Sequence, residues 1–168
     1  MAVPGSPVAP RPEFRLRSDR ATCLTLRSFR VAEMSMAEFR GLVKSVMETL
    51  PEEIRSLTDN VVVEVVEWPD DDLLRKAGLT EEEIEDGETL LGLFEPFEMP
   101  SDGVDFIDHP HKLWIFKGPH EEEFEDANRL RIEVKKTVIH ELAHHFGWTD
   151  RDLERFDSKA DPFGDKRS

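Results

Sequence analysis

His140-Glu141-Leu142-Ala143-His144, extended through Gly147 to Asp150, decides how the rest of this 168-residue chain is read. Residues four apart lie on one face of a helix, so His140 and His144 can grip one metal ion together. Glu141 stands beside the first ligand, where a carboxylate can act as a base toward metal-bound water. Gly147 can end the helix in a left-handed turn and let the chain double back. That would bring Asp150 round as a third ligand. Asp152, two residues on, is its rival, and the Gly147 spacing favours Asp150. Two imidazoles, a carboxylate and an open fourth position describe a catalytic zinc site better than a structural one.

The helical context can be tested by projection. With His140 at zero and about 100° per residue, Val134, Val138, Leu142, Phe146 and Ile139 fall between about 120° and 260°, an apolar stripe on the side away from the two histidines. The helix is therefore expected to span Arg129 to Phe146, pack its back on a core and turn His140 and His144 toward a cleft. His145 falls inside the stripe, which makes it a packing or hydrogen-bonded residue rather than a ligand. Glu133 and Thr137 project near the ligands, either orienting a histidine or facing solvent. His109 and His111, separated by Pro110, read as a loop pair, and Trp148 reads as packing.

Outward from the motif, Met36 to Leu50 carries Phe39, Leu42, Val43, Val46, Met47 and Leu50 at helical spacing, with Ser35 as N-cap. Val61 to Val66 is β-branched and predicts a strand. Asp70 to Lys76 predicts a short helix before Gly78. Thr80 and Glu83 have capping-box spacing, but the acidic run after them reads as a solvated loop or turn. Thr89 to Phe94 and Lys112 to Phe116 are two more strands, the second ended by Gly118-Pro119. His120 to Asp126 reads as one or two helical turns, and Asp150 to Phe156 as a final short helix. The mixture predicts an α+β fold, a small mixed sheet under a long metal-binding helix.

Here the chain resembles the small bacterial zincin-like metallopeptidases. The run Thr137-Val138-Ile139-His140-Glu141-Leu142-Ala143-His144-His145-Phe146-Gly147, with Asp150 after it, carries the resemblance. Phe39, Val43, Leu50 and Pro51 look like that family's first helix, and Asn60 to Glu67 like its first strand. Leu90 to Phe94 and Leu113 to Phe116 look like its later strands, so the likeness covers roughly residues 35 to 156. It implies a minimal zincin fold, zinc as cofactor and zinc-dependent peptidase activity on a peptide or protein substrate that it does not specify. Two departures from the better-known metzincins stand out. All five Met precede the motif, so no methionine turn follows it, and no Tyr exists to stabilise an oxyanion. The metal, a His, an Arg, a Trp N–H or backbone amides must do that work.

Composition bounds the alternatives. The length suits one domain. No apolar run approaches the 18 or so residues of a membrane span, and no signal segment opens the chain. The single cysteine, Cys23, fits a reducing cytoplasm and no disulfide framework. Residues 1–30 carry six Arg against Glu13 and Asp19, a net of +4, so in a chain of −15 the remainder carries −19. Residues 1–28, with four prolines in the first twelve, read as a basic tail without regular structure, or else as an arm that binds an acidic partner or folds back on the chain's own acidic body. Residues 29–157 form the expected metallopeptidase domain, and 158–168 a polar tail. The acidic body argues against nucleic acid as a partner. Two other readings remain open on sequence: a metal-stabilised interaction module without catalysis, and a metal-dependent hydrolase of a non-peptide bond. An intact Glu141 favours catalysis over the first, since a structural site needs no base there.

Overall fold

The structure, a computed structural model, describes residues 15–17, 34–97, 109–149, 151 and 154. Its elements run β1 (Arg15–Arg17), α1 (Met36–Glu48), α2 (Glu52–Arg55), β2 (Val61–Val66), α3 (Asp71–Lys76), α4 (Glu81–Glu85), β3 (Glu88–Leu90), β4 (Gly92–Glu95), β5 (His111–Phe116), α5 (Lys117–Glu123) and α6 (Ala127–His145). The main sheet has the order β2-β5-β4. β5 runs parallel to β2, with Val61 opposite His111, and antiparallel to β4, with Phe94 opposite Leu113. The fold is α+β, with a small mixed sheet packed against helices that include the long α6.

Side chains alternate across a strand, and β5 uses both faces. Leu113 and Ile115 enter a core shared with Phe39, Val43 and Val46 of α1, Ile54 of α2 and Val134, Val138, Ile139 and Leu142 of α6. Trp114 and Phe116 point the other way, into a smaller core with Leu73, Leu74, Ala77, Leu79, Leu90 and Leu93. β4 divides likewise, Phe94 to the first core and Leu93 to the second. A central strand covered on both sides needs an almost continuous apolar run, which Leu113 to Phe116 supplies.

Caps set several boundaries. Ser35 and Glu38 close a full capping box on α1, and Asp126 accepts the Arg129 N–H at the start of α6. Thr80 and Glu83 close another, so the acidic run expected as a loop is in fact the helix α4. Glu81, Glu82 and Glu83 all sit in its first turn, where carboxylates favour the positive end of the helix dipole. β5 ends at Phe116 as expected, but α5 begins directly at Lys117 and takes in Gly118-Pro119, earlier than the expected start at His120. A proline in the first turn gives up an N–H that has no intrahelical partner anyway. The predicted strand Thr89 to Phe94 is broken at Leu91 into β3 and β4. β3 pairs antiparallel with β1, Arg15 opposite Leu90. These three residues of the basic arm therefore have regular structure, against the reading of an unstructured tail and in keeping with an arm that folds back on the body. Cys23 and most of the proposed helix from Asp150 to Phe156 lie outside the described residues, though Arg151 and Glu154 are helical.

α6 is buried more completely than its apolar stripe implies. Glu133, Lys136 and Thr137 are buried along with Val134, Val138 and Ile139. The polar side is covered because α5 packs against it. Glu133 pairs there with Arg129 (2.7 Å) and Lys136 (3.2 Å). His120 of α5, fully buried, has Nδ1 2.7 Å from the Phe116 carbonyl. A carbonyl only accepts, so Nδ1 carries the proton, and neutral Nε2 is left to accept from the Thr137 hydroxyl at 3.1 Å. That hydroxyl also lies 3.0 Å from the Glu133 carbonyl. Burial depresses the His120 pKa to about 4, against a smaller upward pull from the Phe116 carbonyl.

A buried base with a depressed pKa makes stability fall on acidification, because the unfolded chain takes up a proton near pH 6.5 that the folded one refuses until about pH 4. Stability attributable to His120 is therefore present above about pH 6.5 and lost progressively as the pH falls to about 4. Proton NMR of the folded protein should show a His120 ring that does not titrate between pH 5 and about 8. A His120 midpoint near 6.5 would mean that the ring is not held neutral between α5 and α6.

Candidate metal and catalytic site

α6 presents His140 and His144 on one face, one turn apart, with ring centroids 5.5 Å apart and planes inclined at 58°. His140 is buried and His144 half-buried. One nitrogen of each ring, Nδ1 of His140 and Nε2 of His144, is shut off from solvent. The helix ends just beyond, with Phe146 as C-cap and Gly147 at φ +84°, the left-handed conformation the motif requires. The N–H of Trp148 closes the turn on the Ala143 carbonyl at 2.9 Å. Trp148 packs on the main core, as its position suggested. Phe146, placed in the apolar stripe by periodicity, has left the helix and is exposed.

Glu141 turns toward the sheet. Its carboxylate accepts the backbone N–H of Phe94 at 2.9 Å. In an antiparallel strand a residue's N–H and C=O point to the same side, so the backbone of Phe94 faces away from β5, toward α6. Among the described residues β4 is the end strand of the three-stranded sheet, and this is its unshared edge. Burial raises the Glu141 pKa to about 7, with the Phe94 N–H acting in the opposite sense. A carboxyl of that pKa can hold or release a proton near neutrality, which a general base must do.

Gly92 allows this contact. A Cβ there would lie 2.8 Å from Cγ2 of Thr137 and 3.0 Å from the Trp114 carbonyl oxygen. α6 thus rests directly on the backbone of β4, one turn before Glu141. Periodicity alone gives Thr137 no such role, but an isolated glycine within a strand-like run is a signal of close backbone approach.

Around Phe94 gathers a group that the sequence did not connect. Its ring stacks on His145 at 3.9 Å, and His111 lies 5.2 Å from His145 and 5.6 Å from Phe94. His145 is exposed rather than inside the apolar stripe where periodicity put it, and it packs on the Phe94 ring. Its pKa is lowered by partial burial and then by the neighbouring His111. His109 and His111 are not one unit: His109 lies against the ring of Phe97, and His111 accepts the Phe97 N–H at 3.1 Å.

Asp150 and Asp152 lie outside the described residues. Among the described residues no group of three or more His, Cys, Asp or Glu side chains is gathered closely enough to hold a metal. His140 and His144 fit such an ion as donors, two imidazoles one turn apart on a rigid, buried helix. Among the described residues, too, no helix is long and apolar enough to cross a membrane.

Residues 58–160 match the sequence model of the zincin-like metallopeptidases. The chain belongs to that family. The match spans β2 through α6, the elements that build the site. Among solved structures, a conserved hypothetical protein from Thermo thermophilus is similar at 24% identity, over 67% of this chain and 94% of that one, with a TM-score of 0.46. Comparison with curated proteins finds no match. For this zincin-like chain, the contact of Thr137 with Gly92 gives a direct test of the site's geometry. Gly92→Ala should destabilise the fold by about 1–3 kcal/mol, the usual cost of overpacking. It should also separate Glu141 from the Phe94 amide, seen as a large shift of that amide's NMR resonance. An unmoved resonance at full stability would show that the approach of α6 to β4 is not needed.

Proposed function

We propose that this protein is a zinc-dependent peptidase in which His140, His144 and Asp150 hold the metal and Glu141 is the general base. The observation that carries the reading is the position of Glu141: next to His140 on a buried helix, with its carboxylate on the Phe94 N–H at the edge of β4. Family membership supports the hydrolase assignment, and a structural site has no need of a carboxylate beside its first ligand.

Zinc, when bound, would supply Lewis acidity, lowering the pKa of a water toward about 7 and polarising a carbonyl. The protein's own groups do the rest. An extended peptide adds to the edge of β4, taking main-chain hydrogen bonds from the strand. Glu141 leaves the Phe94 N–H, accepts a proton from the attacking water and passes it to the departing amine. The carboxylate of Asp150 makes the site one charge less positive than three histidines would, which tempers its Lewis acidity and widens the range of divalent metals it accepts. In the absence of tyrosine, oxyanion stabilisation falls to the metal, a histidine or a backbone amide. The reading places the protein in the cytoplasm, in keeping with its single cysteine.

Glu141→Gln is nearly isosteric but cannot take up the water's proton. It should retain zinc and the fold and lose roughly a hundredfold to ten-thousandfold in rate on a mixed peptide library read by mass spectrometry. Chelation should abolish wild-type cleavage and added zinc restore it. Equal cutting by wild type and variant would assign the activity elsewhere. The ligand set is checked separately by zinc titration: Asp150→Ala should weaken binding far more than Asp152→Ala, and the reverse order would exchange their roles.

A further inference from the structure

Single exposed apolar side chains are ordinary on a folded surface, whereas several gathered at one spot mark an interaction site. Among the described residues those left exposed are Val62, Phe97 and Phe146. Two of the three flank one spot. Phe146 lies edge-on to His145 at 4.9 Å, and His145 stacks on Phe94. On the other side His111 accepts the Phe97 N–H, and the Phe97 ring lies 4.5 Å from His109. Phe146, His145, Phe94 and His111 thus form a row of four rings in contact, from the end of α6 to β5, and the Phe97–His109 pair joins it through the hydrogen bond from the Phe97 N–H to His111.

The row passes through Phe94, the residue whose N–H faces Glu141. Its ring projects to the α6 side of the sheet, where it joins the main core. A peptide laid along the edge of β4 would send every second side chain to that same side. The row itself contains no carboxylate, in a chain of net charge −15. It offers an aromatic contact on an acidic chain, which suits an apolar or aromatic group better than an acidic one.

We propose that this aromatic row is the specificity-determining subsite of the protein: it selects extended peptides carrying an aromatic or large aliphatic side chain at one fixed position, with Phe146 and Phe97 as its walls. The proposal rests on the peptidase reading for the placement of the peptide, but not on turnover. Phe146 and Phe97 are exposed, so their removal leaves the core intact, whereas Phe94 is part of it.

The test uses the full chain carrying Glu141→Gln, with and without added zinc, so that peptides bind uncut. Capped peptides with a single Phe, Leu, Ser or Glu moved along a constant alanine host are titrated by calorimetry. The Phe and Leu peptides should bind at least about tenfold more tightly than the Ser and Glu peptides, at one position only. Adding Phe146→Ala or Phe97→Ala should erase most of that ratio and leave thermal unfolding unchanged. Equal binding of all four peptides, no binding at all, or a ratio that survives both truncations overturns the subsite. Wild-type cleavage of the same peptides is scored apart. Discrimination in binding without cleavage would keep the subsite and reject the peptidase, and cleavage without discrimination would do the opposite.

Discussion

The candidate site depends on how closely α6 approaches the backbone of β4. The approach is possible because position 92 has no side chain, so Thr137 takes the space where a Cβ would stand. One turn further along, the same spacing brings the Glu141 carboxylate within 2.9 Å of the Phe94 N–H. The Gly92–Thr137 contact and the Glu141–Phe94 hydrogen bond together fix α6 against β4, and burial in that place raises the Glu141 pKa to about 7.

The rest of the molecule holds α6 in that place. Its apolar side is gripped by α1, α2 and the sheet through Phe39, Val43, Ile54, Leu113 and Ile115. Its polar side is held by the neutral His120, which links the Phe116 carbonyl at the end of β5 to the Thr137 hydroxyl. Thr137 thus has two functions, with its methyl group on Gly92 and its hydroxyl on His120. The second core, on the far side of the sheet, backs β4 through Leu93 and β5 through Phe116. A helix supported on both sides has little freedom to rotate, which the proposed sharing of one ion by His140 and His144 requires.

Burial gives the two titrating groups opposite roles. His120 is kept neutral by losing solvent, and so acts as a fixed hydrogen-bond link rather than a charge. Glu141 is raised toward neutrality by the same loss of solvent, and so becomes a group that can exchange a proton. One physical effect keeps a base neutral as a fixed strut and raises an acid toward neutrality, because desolvation always disfavours the charged form.

Much of this was legible in the residues themselves. The 3.6-residue period placed Val134, Val138, Ile139 and Leu142 in the core and His140 with His144 on a common face, and Gly147 marked the left-handed end of the helix. β-branching at Val61 to Val66 and the apolar run from Leu113 to Phe116 marked two strands, since these patterns are local and backbone geometry fixes which side chains share a face. Other features were not local. The acidic helix α4 depended on caps and a dipole outweighing charge repulsion. The pairing of β1 with β3 joined an arm to a strand some seventy residues away. The buried pair of His120 and Thr137, the exposure of Phe146 and the contact of Glu141 with Phe94 all depend on which elements meet, and at what distance. Sequence by itself determined which side chains α6 displays and in what order, because the helix repeat is a property of the chain. Tertiary structure alone decided what each of them faces, because burial, close approach and the pKa shifts that follow arise only when distant segments exclude water from between them.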